Sequence, residues 1–426
     1  MDHSIKPQNL AEKTVWYTIV LSYPMYFLGL VFPVNTTLPW LLLINVAMRF
    51  WNQSAWTPIE KRIRIPAIVW MWTFSAVTVL IAMLVGLTNF NYDIREIIRS
   101  TLNWTREWAL FPICLTLGSC LKVRPKLIYR AVCNLCGQSL IMLVVCVLAF
   151  LAKIPDLIYT SPIERLTQNG SMFYEVRLYL IDVDSGTLRF TLFAPWAPAL
   201  GLVACLYFLM ALQESDKIWK SIGLVGATAM ILASVSRGAF LFLPAALLVV
   251  WMWVAWNRAY IQLVAGFLIF WFGLFSFTVS QAFSTAIDGF KGARKSSSQL
   301  RAVLQRVALE RWAEAPMWGH GKQIPGPKVL KEMPLGSHHT WFGLLFSHGL
   351  VGFVAVLISS VTTLLVLAIK AKGDQTARVA LGMFLIVLFM SMGENMEKLA
   401  YLFWPALVLI GTVFRPKSMA YYRAEH

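Results

Sequence analysis

Charge is what this sequence has least of. Asp, Glu, Lys and Arg together make up 14% of its 426 residues, where soluble domains carry about 25%. Histidine numbers six, and the six cysteines (Cys114, Cys120, Cys133, Cys136, Cys146, Cys205) all fall in apolar runs. No disulfide framework is implied. Cys133 and Cys136 form a C-x-x-C, but they lack the exposure and partners that redox or zinc chemistry needs, so they read as buried packing thiols. A phosphate-cradling glycine loop, a G-x-S-x-G elbow and a metalloprotease helix motif are missing. A short leader with a small-residue cleavage site is missing too, so the first apolar run, from Val15 past Phe32, is expected to be a retained span.

What is present is apolar mass. Hydrophobic residues make up 58% of the chain, with 18 Trp and 27 Phe. A soluble protein of this composition would expose large sticky patches, which excludes a soluble enzyme. At about 20 residues per span, there is room for about twelve spans. They are expected at 15–34, 36–51, 66–88, 107–121, 128–152, 190–213, 220–236, 238–256, 259–282, 341–369, 377–393 and 398–414. Inside a bilayer each backbone polar group must be satisfied within its own segment. The runs are continuously apolar rather than alternating, as barrel strands would be. The fold class is therefore an all-α polytopic membrane protein. Its organisation is nine spans in 1–282, a large loop in 283–340, and three spans with a tail in 341–426.

The net charge is +16, and its distribution sets the orientation. Placing both termini in the cytoplasm puts Lys61, Arg62, Arg64, Lys122, Arg124, Lys126, Arg130, Lys217, Lys220, Arg258, Lys370, Lys372 and Arg378 in inward connections, as the positive-inside rule requires. Counted by side, 19 of the 37 basic residues then face inward and 18 outward. Nine of the outward ones sit in 283–340, against four acidic residues. Topology gives this basic outer loop no purpose. No soluble face exists to hold nucleic acid, so the charge points to anionic lipids. Within the loop, Leu300, Val303, Leu304, Val307 and Ala308 recur at helical spacing, predicting an amphipathic helix over 298–314. Ser296–Ser298 are placed to cap its start, and Pro316 to end it.

Several residues at the outer face are suited to chemistry. His338-His339-Thr340-Trp341 stands where the loop enters the tenth span. The pair reads either as a proton carrier or as interfacial histidines beside an aromatic belt. A zinc site from His338, His339 and His348 is not supported, because no carboxylate or thiol lies near, and His320 reads as a loop residue. Arg237 lies between two apolar runs, and Arg189 before another. Each either snorkels to headgroups or meets an anion, to which arginine presents a planar, always-charged fork. For Arg301, Arg306 and Arg311 the plain alternative is a solvated helix face. Glu394 and Glu397 share an outer turn. They are placed to orient arginines or an acceptor sugar, or to form an ion pair with Lys398. Asp182 and Asp184 are equally open.

These residues carry a resemblance. Ser234-x-Ser236-Arg237-Gly238 resembles the S-R-G motif of the O-antigen ligase and polymerase superfamily. Ser298-x-x-Arg301 with Ala315-Pro316-Met317-Trp318-Gly319-His320-Gly321 is similar to its S-x-x-x-R … P-x-x-G-x-G segment, one residue shorter, so Arg306 competes with Arg301. His338-His339-Thr340-Trp341-Phe342 … Gly349-Leu350-Val351-Gly352 is similar to its H-N-x-x-L … G-L-x-G block, with His339 in place of the Asn, and Glu394-Asn395 resembles a late signature. Length and basicity are most like the lipopolysaccharide O-antigen ligases. The resemblance implies a GT-C-type glycosyltransferase of the Gram-negative inner membrane. Its donor would be undecaprenyl diphosphate-linked O-antigen, its acceptor lipid A–core on the periplasmic side, and it would need no nucleotide sugar, cofactor or divalent metal. It implies His338 as general base, with Arg189, Arg237 and Arg301 on the diphosphate and His339, Arg306 and Glu394 as secondary candidates. An O-antigen polymerase or protein O-oligosaccharyltransferase shares the donor and differs in acceptor. A lipid-glycan flippase would need ionisable groups deep within several spans. Here the span interiors are almost uncharged, which favours surface chemistry.

Overall fold

The computed structural model describes residues 5–54, 56–58, 62–167, 170–182, 186–274, 295–326 and 333–416. The chain is mostly helical. Among the described residues, six helices are long and apolar enough to cross a membrane: α3 (Val31–Trp51), α4 (Ala67–Asn89), α7 (Pro125–Leu151), α11 (Arg237–Ala255), α14 (Thr340–Ala371) and α16 (Met396–Val413). Shorter apolar helices are α9 (Ala197–Ala211) and α15 (Gln375–Met390). Between these lie α1 (Leu10–Val20), α2 (Ser22–Leu28), α5 (Ile94–Arg106), α6 (Leu110–Cys120), α8 (Glu164–Thr167), α10 (Lys217–Ser234), α12 (Ala259–Leu274) and α13 (Lys295–Trp312). Each of the twelve expected runs meets helix among the described residues; for the run 259–282 this covers 259–274, and 275–282 lie outside them.

The first run is broken rather than continuous. Gly29 caps α2 in the left-handed region at φ 69°, and Pro33 is then accommodated in the first turn of α3, where a missing N–H costs nothing. The run expected from 190 starts helix only at Ala197, whose first turn holds Pro198.

Two connections are more ordered than the sequence suggests. Residues 94–106 form helix α5, capped by Asp93, whose side chain accepts the Glu96 N–H. The 153–189 segment carries two antiparallel pairs. β1 (Leu157–Thr160) pairs with β2 (Glu175–Arg177), and β3 (Leu180–Ile181) with β4 (Leu188–Arg189), setting Arg189 opposite Leu180. Phe173 anchors this segment against Phe32, 4.8 Å away between ring centres, and against Trp196 at 6.0 Å.

The core is built by close helix approach, which in lipid rests on small residues. At the α6–α16 crossing, a Cβ at Gly118 would overlap the Val408 carbonyl and stand 2.8 Å from the Gly411 Cα. The C-x-x-C cysteines serve the same end. Cys133 and Cys136 are buried on α7 and meet Gly223 and Gly226 of α10.

Candidate functional site

The α10–α11 turn shows why the S-x-S-R-G sequence folds as it does. Val235 ends α10 in the left-handed region at φ 46°. Ser234 Oγ accepts the Ser236 N–H at 3.2 Å, and Ser236 Oγ caps α11 by accepting the Ala239 N–H at 3.4 Å. Arg237 is thereby the first helical residue of α11, at the positive end of the helix dipole, where anions are favoured. The Phe190 N–H donates to the Ala233 carbonyl at 3.0 Å, tying the β4 end to this turn. Arg189, one residue earlier, is buried and ion-paired with Asp182.

The turn between α15 and α16 joins this arrangement to the histidines. Trp196 Nε1 donates to Glu394 Oε2 at 3.0 Å. The Glu394 carbonyl accepts from Thr340 Oγ1 at 2.8 Å, and the Thr340 N–H donates to the Ser391 carbonyl at 2.9 Å. The start of α9, seven residues after Arg189, and the start of α14, two residues after His338, therefore meet at one turn. Gly238 packs toward Met390 at the end of α15, which brings the Arg237 turn to the same place.

The two adjacent histidines differ. His339 is the N-cap of α14, and its Nδ1 accepts the Phe342 N–H at 3.3 Å. Burial pushes its ring down to about 4, which keeps it a neutral acceptor. His338 is half-buried and adopts φ 61°. A non-glycine residue in that region costs about 1–3 kcal/mol, and such residues concentrate at functional sites.

The large loop is hooked to α14 at a kink. Gly349 breaks the helix at φ 61°, and a Cβ there would overlap the Met317 carbonyl. The Leu350 and Val351 N–H groups donate to Pro316 and Met317, while those of His320 and Gly321 donate to Phe346 and Ser347. His320 is buried between the Phe90 and Phe346 rings, with Nε2 3.2 Å from Glu314. It holds the loop down. Helix α13 packs Leu304 and Ala308 against Leu335 and Phe346. It starts at Lys295, so Ser296–Ser298 lie inside its first turn rather than ahead of it.

Other expected residues are placed apart or fall elsewhere. Arg306 projects from α13, 82% exposed, and pairs with Glu310 at 2.9 Å. Arg301 lies on α13, but its side chain is outside the described residues, as is Asp184. Glu397 is buried, and its Oε1 accepts from Asn395 Nδ2 at 2.7 Å. The sequence reading missed Asn103 and Glu107, which line a cavity with Glu397 and Lys398. The alternation of Ile94, Ile97 and Ile98 with charged residues over 94–106 was the available signal for that helix.

None of the curated proteins matches the chain significantly. Residues 222–357, a stretch that holds Arg237, Arg301 and His338, match the family model described as O-antigen ligase, and over that stretch the chain is similar to this family.

Proposed function

We propose that this multi-pass membrane protein is an O-antigen ligase of the GT-C type. It transfers O-antigen from undecaprenyl diphosphate to lipid A–core in the periplasmic leaflet of the inner membrane. His338 Nε2 or Nδ1 takes the proton of an acceptor hydroxyl. The oxygen forms a bond to the anomeric carbon as the bond from that carbon to the diphosphate oxygen breaks. Undecaprenyl diphosphate leaves with the electron pair. Attack from the opposite face inverts the anomeric centre. Arg237, at a helix N-terminus, and Arg189 stabilise the charge growing on the diphosphate, with Arg301 assigned to them on its motif. The amphipathic α13 shields the donor's entry from lipid.

The observation that carries this reading is the division of labour between the histidines. His339 is used as a helix cap, and His338, half-buried at φ 61° beside it, is the member assigned to proton transfer. Purified donor supplied with lipid A–core, free repeat units or an acceptor protein tests the reaction. Transfer to lipid A–core is expected. Transfer to repeat units alone would make the protein a polymerase, and to protein alone an oligosaccharyltransferase. His338→Ala is expected to lower turnover by about 10²–10⁴-fold. Full transfer by that variant would remove the general-base role. Unchanged donor use by Arg237→Ala would remove the diphosphate role.

A further inference from the structure

Beside the His338 turn, on its other side, lies a cavity of about 270 Å³. At about 30 Å³ per water it has room for one sugar ring, not for a polysaccharide. Its walls come from α5, the end of α4, residues 321–323, the first turns of α14 and the start of α16. None of its carboxylates has a role in the transfer chemistry above.

Three buried polar atoms on its walls have no hydrogen-bond partner: Glu397 Oε2, His348 Nδ1 and Ser347 Oγ. All three residues line the cavity, and Glu397 is only 7% exposed. Buried polar groups of folded proteins are nearly always satisfied, and an exception calls for a reason. Asn103 and Glu107 add an amide and a second carboxylate to the same wall. Burial raises the Glu107 carboxyl to about 7, with Lys398 opposing, so near neutral pH it both donates and accepts.

The lining carries groups of both signs. Arg99, Arg106, Lys322 and Lys398 face Glu96, Glu107 and Glu397. Lys322 is already paired with Glu96 at 2.9 Å, and Lys398 donates to Gln323 Oε1 at 2.8 Å. Carboxylates, amides and a half-buried Trp104 edge suit a neutral ring rich in hydroxyls.

The cavity is mechanically joined to the reacting turn. The Gly336 carbonyl accepts from Gln323 Nε2 at 3.2 Å and Asn395 Nδ2 at 3.4 Å, and that same Asn395 amide donates to Glu397. Gly336 is two residues before His338. We propose that this cavity is a subsite for one neutral, hydroxyl-rich pyranose of the acceptor oligosaccharide, held by Glu397, Glu107 and Asn103 next to the His338 turn. The assignment to acceptor rests on the transfer reaction proposed above; the sugar-binding chemistry does not.

Saturation-transfer NMR on the protein in nanodiscs tests it, with lipid-free core oligosaccharide and methyl glucoside as probes. Core oligosaccharide is expected to receive saturation. Glu397→Gln and Asn103→Ala are each expected to weaken its binding about ten-fold, the loss of one hydrogen bond to a charged or polar partner. Asn103→Ala removes an amide with no partner to orphan, so it guards against a folding defect in the other variant. In turnover, both raise the acceptor KM about ten-fold while kcat and the donor KM hold. Unchanged binding in both variants overturns the subsite. A donor KM that rises while the acceptor KM holds overturns its assignment to acceptor. Core oligosaccharide that binds wild type and not the variants, in a protein that glycosylates no acceptor, supports the subsite and defeats the transfer reading instead.

Discussion

The two ends of the helix bundle treat buried charge differently. At the end where α7 begins, the charged groups are closed off by partners. Arg124 Nε meets Glu12 at 2.7 Å. Arg130 meets Glu214 at 3.1 Å and stands over the Trp219 ring. Arg415 donates to the carbonyls of Gly118, Leu121 and Val123. At the His338 end, Ser337, Ser347, His348 and Glu397 each keep a buried polar atom without a partner. The first end spends its polar groups on holding helices together. The second keeps some of them open, as a site that must receive hydroxyls and phosphates would. Stability and activity should therefore separate along the bundle axis.

The largest effect on stability is expected at the closed end. Arg130 and Glu214 are both buried, so Arg130→Ala would strand a carboxylate away from water. Breaking such a pair costs about 3–5 kcal/mol. Thermal unfolding in detergent should show a large drop in Tm, and Arg130→Leu with Glu214→Leu should recover much of it, because a well-packed apolar pair is often neutral. An unchanged Tm in the single variant would break the contrast between the ends.

Next comes Gly118→Leu. The added side chain must displace the Val408 carbonyl of α16, and over-packing of this kind costs about 1–3 kcal/mol. The same unfolding measurement applies, and the effect should appear in Tm before it appears in donor use.

How much of this was legible beforehand follows from what each signal depends on. Apolar runs report local burial, so the expected runs met helices, six of which are long and apolar enough to span among the described residues. The amphipathic spacing of Leu304 and Ala308 correctly gave α13. Motifs are local too, and the S-x-S-R-G turn and the His338-His339 pair could be singled out from sequence. What sequence left open was which neighbour each residue meets. His320 looked like a loop residue, yet two aromatic rings from elements far apart in the chain bury it. Glu397 and Asn103 share a wall only because α5 folds over α14 and α16. The strands of 157–189 are two to four residues long and carry no long alternation to announce them.

His339 offers a smaller test, and one that reads pH. Its folded pKa, about 4, lies below the ordinary value of about 6.5. The unfolded chain therefore binds the extra proton between those values. The stability that goes with burying the neutral ring is fully present above about pH 6.5 and is lost as pH falls toward 4. His339→Asn keeps an acceptor for the Phe342 N–H and should flatten that part of the Tm-against-pH curve. His339→Ala should cost about 0.5–2 kcal/mol, the usual worth of a cap. A wild-type curve already flat between pH 4 and 6.5 would show that burial does not hold the ring neutral.

The smallest effect separates the arginines of the open end from one another. Arg306 is 82% exposed and its only described partner is Glu310, four residues on along the same helix. Such pairs contribute about 0.2–0.5 kcal/mol, so Arg306→Ala should leave Tm nearly unchanged. It should also leave donor use unchanged, since a solvated guanidinium gains little from a phosphate that water already screens. Arg237→Ala should do the reverse, sparing Tm while weakening transfer, because its charge sits at a helix N-terminus beside the Glu394 turn. Measuring both variants for donor KM and Tm on one preparation sets the two side by side. If Arg306→Ala weakened the donor as strongly as Arg237→Ala, α13 would have to swing its exposed face onto the diphosphate during turnover. The open end would then include the loop helix itself.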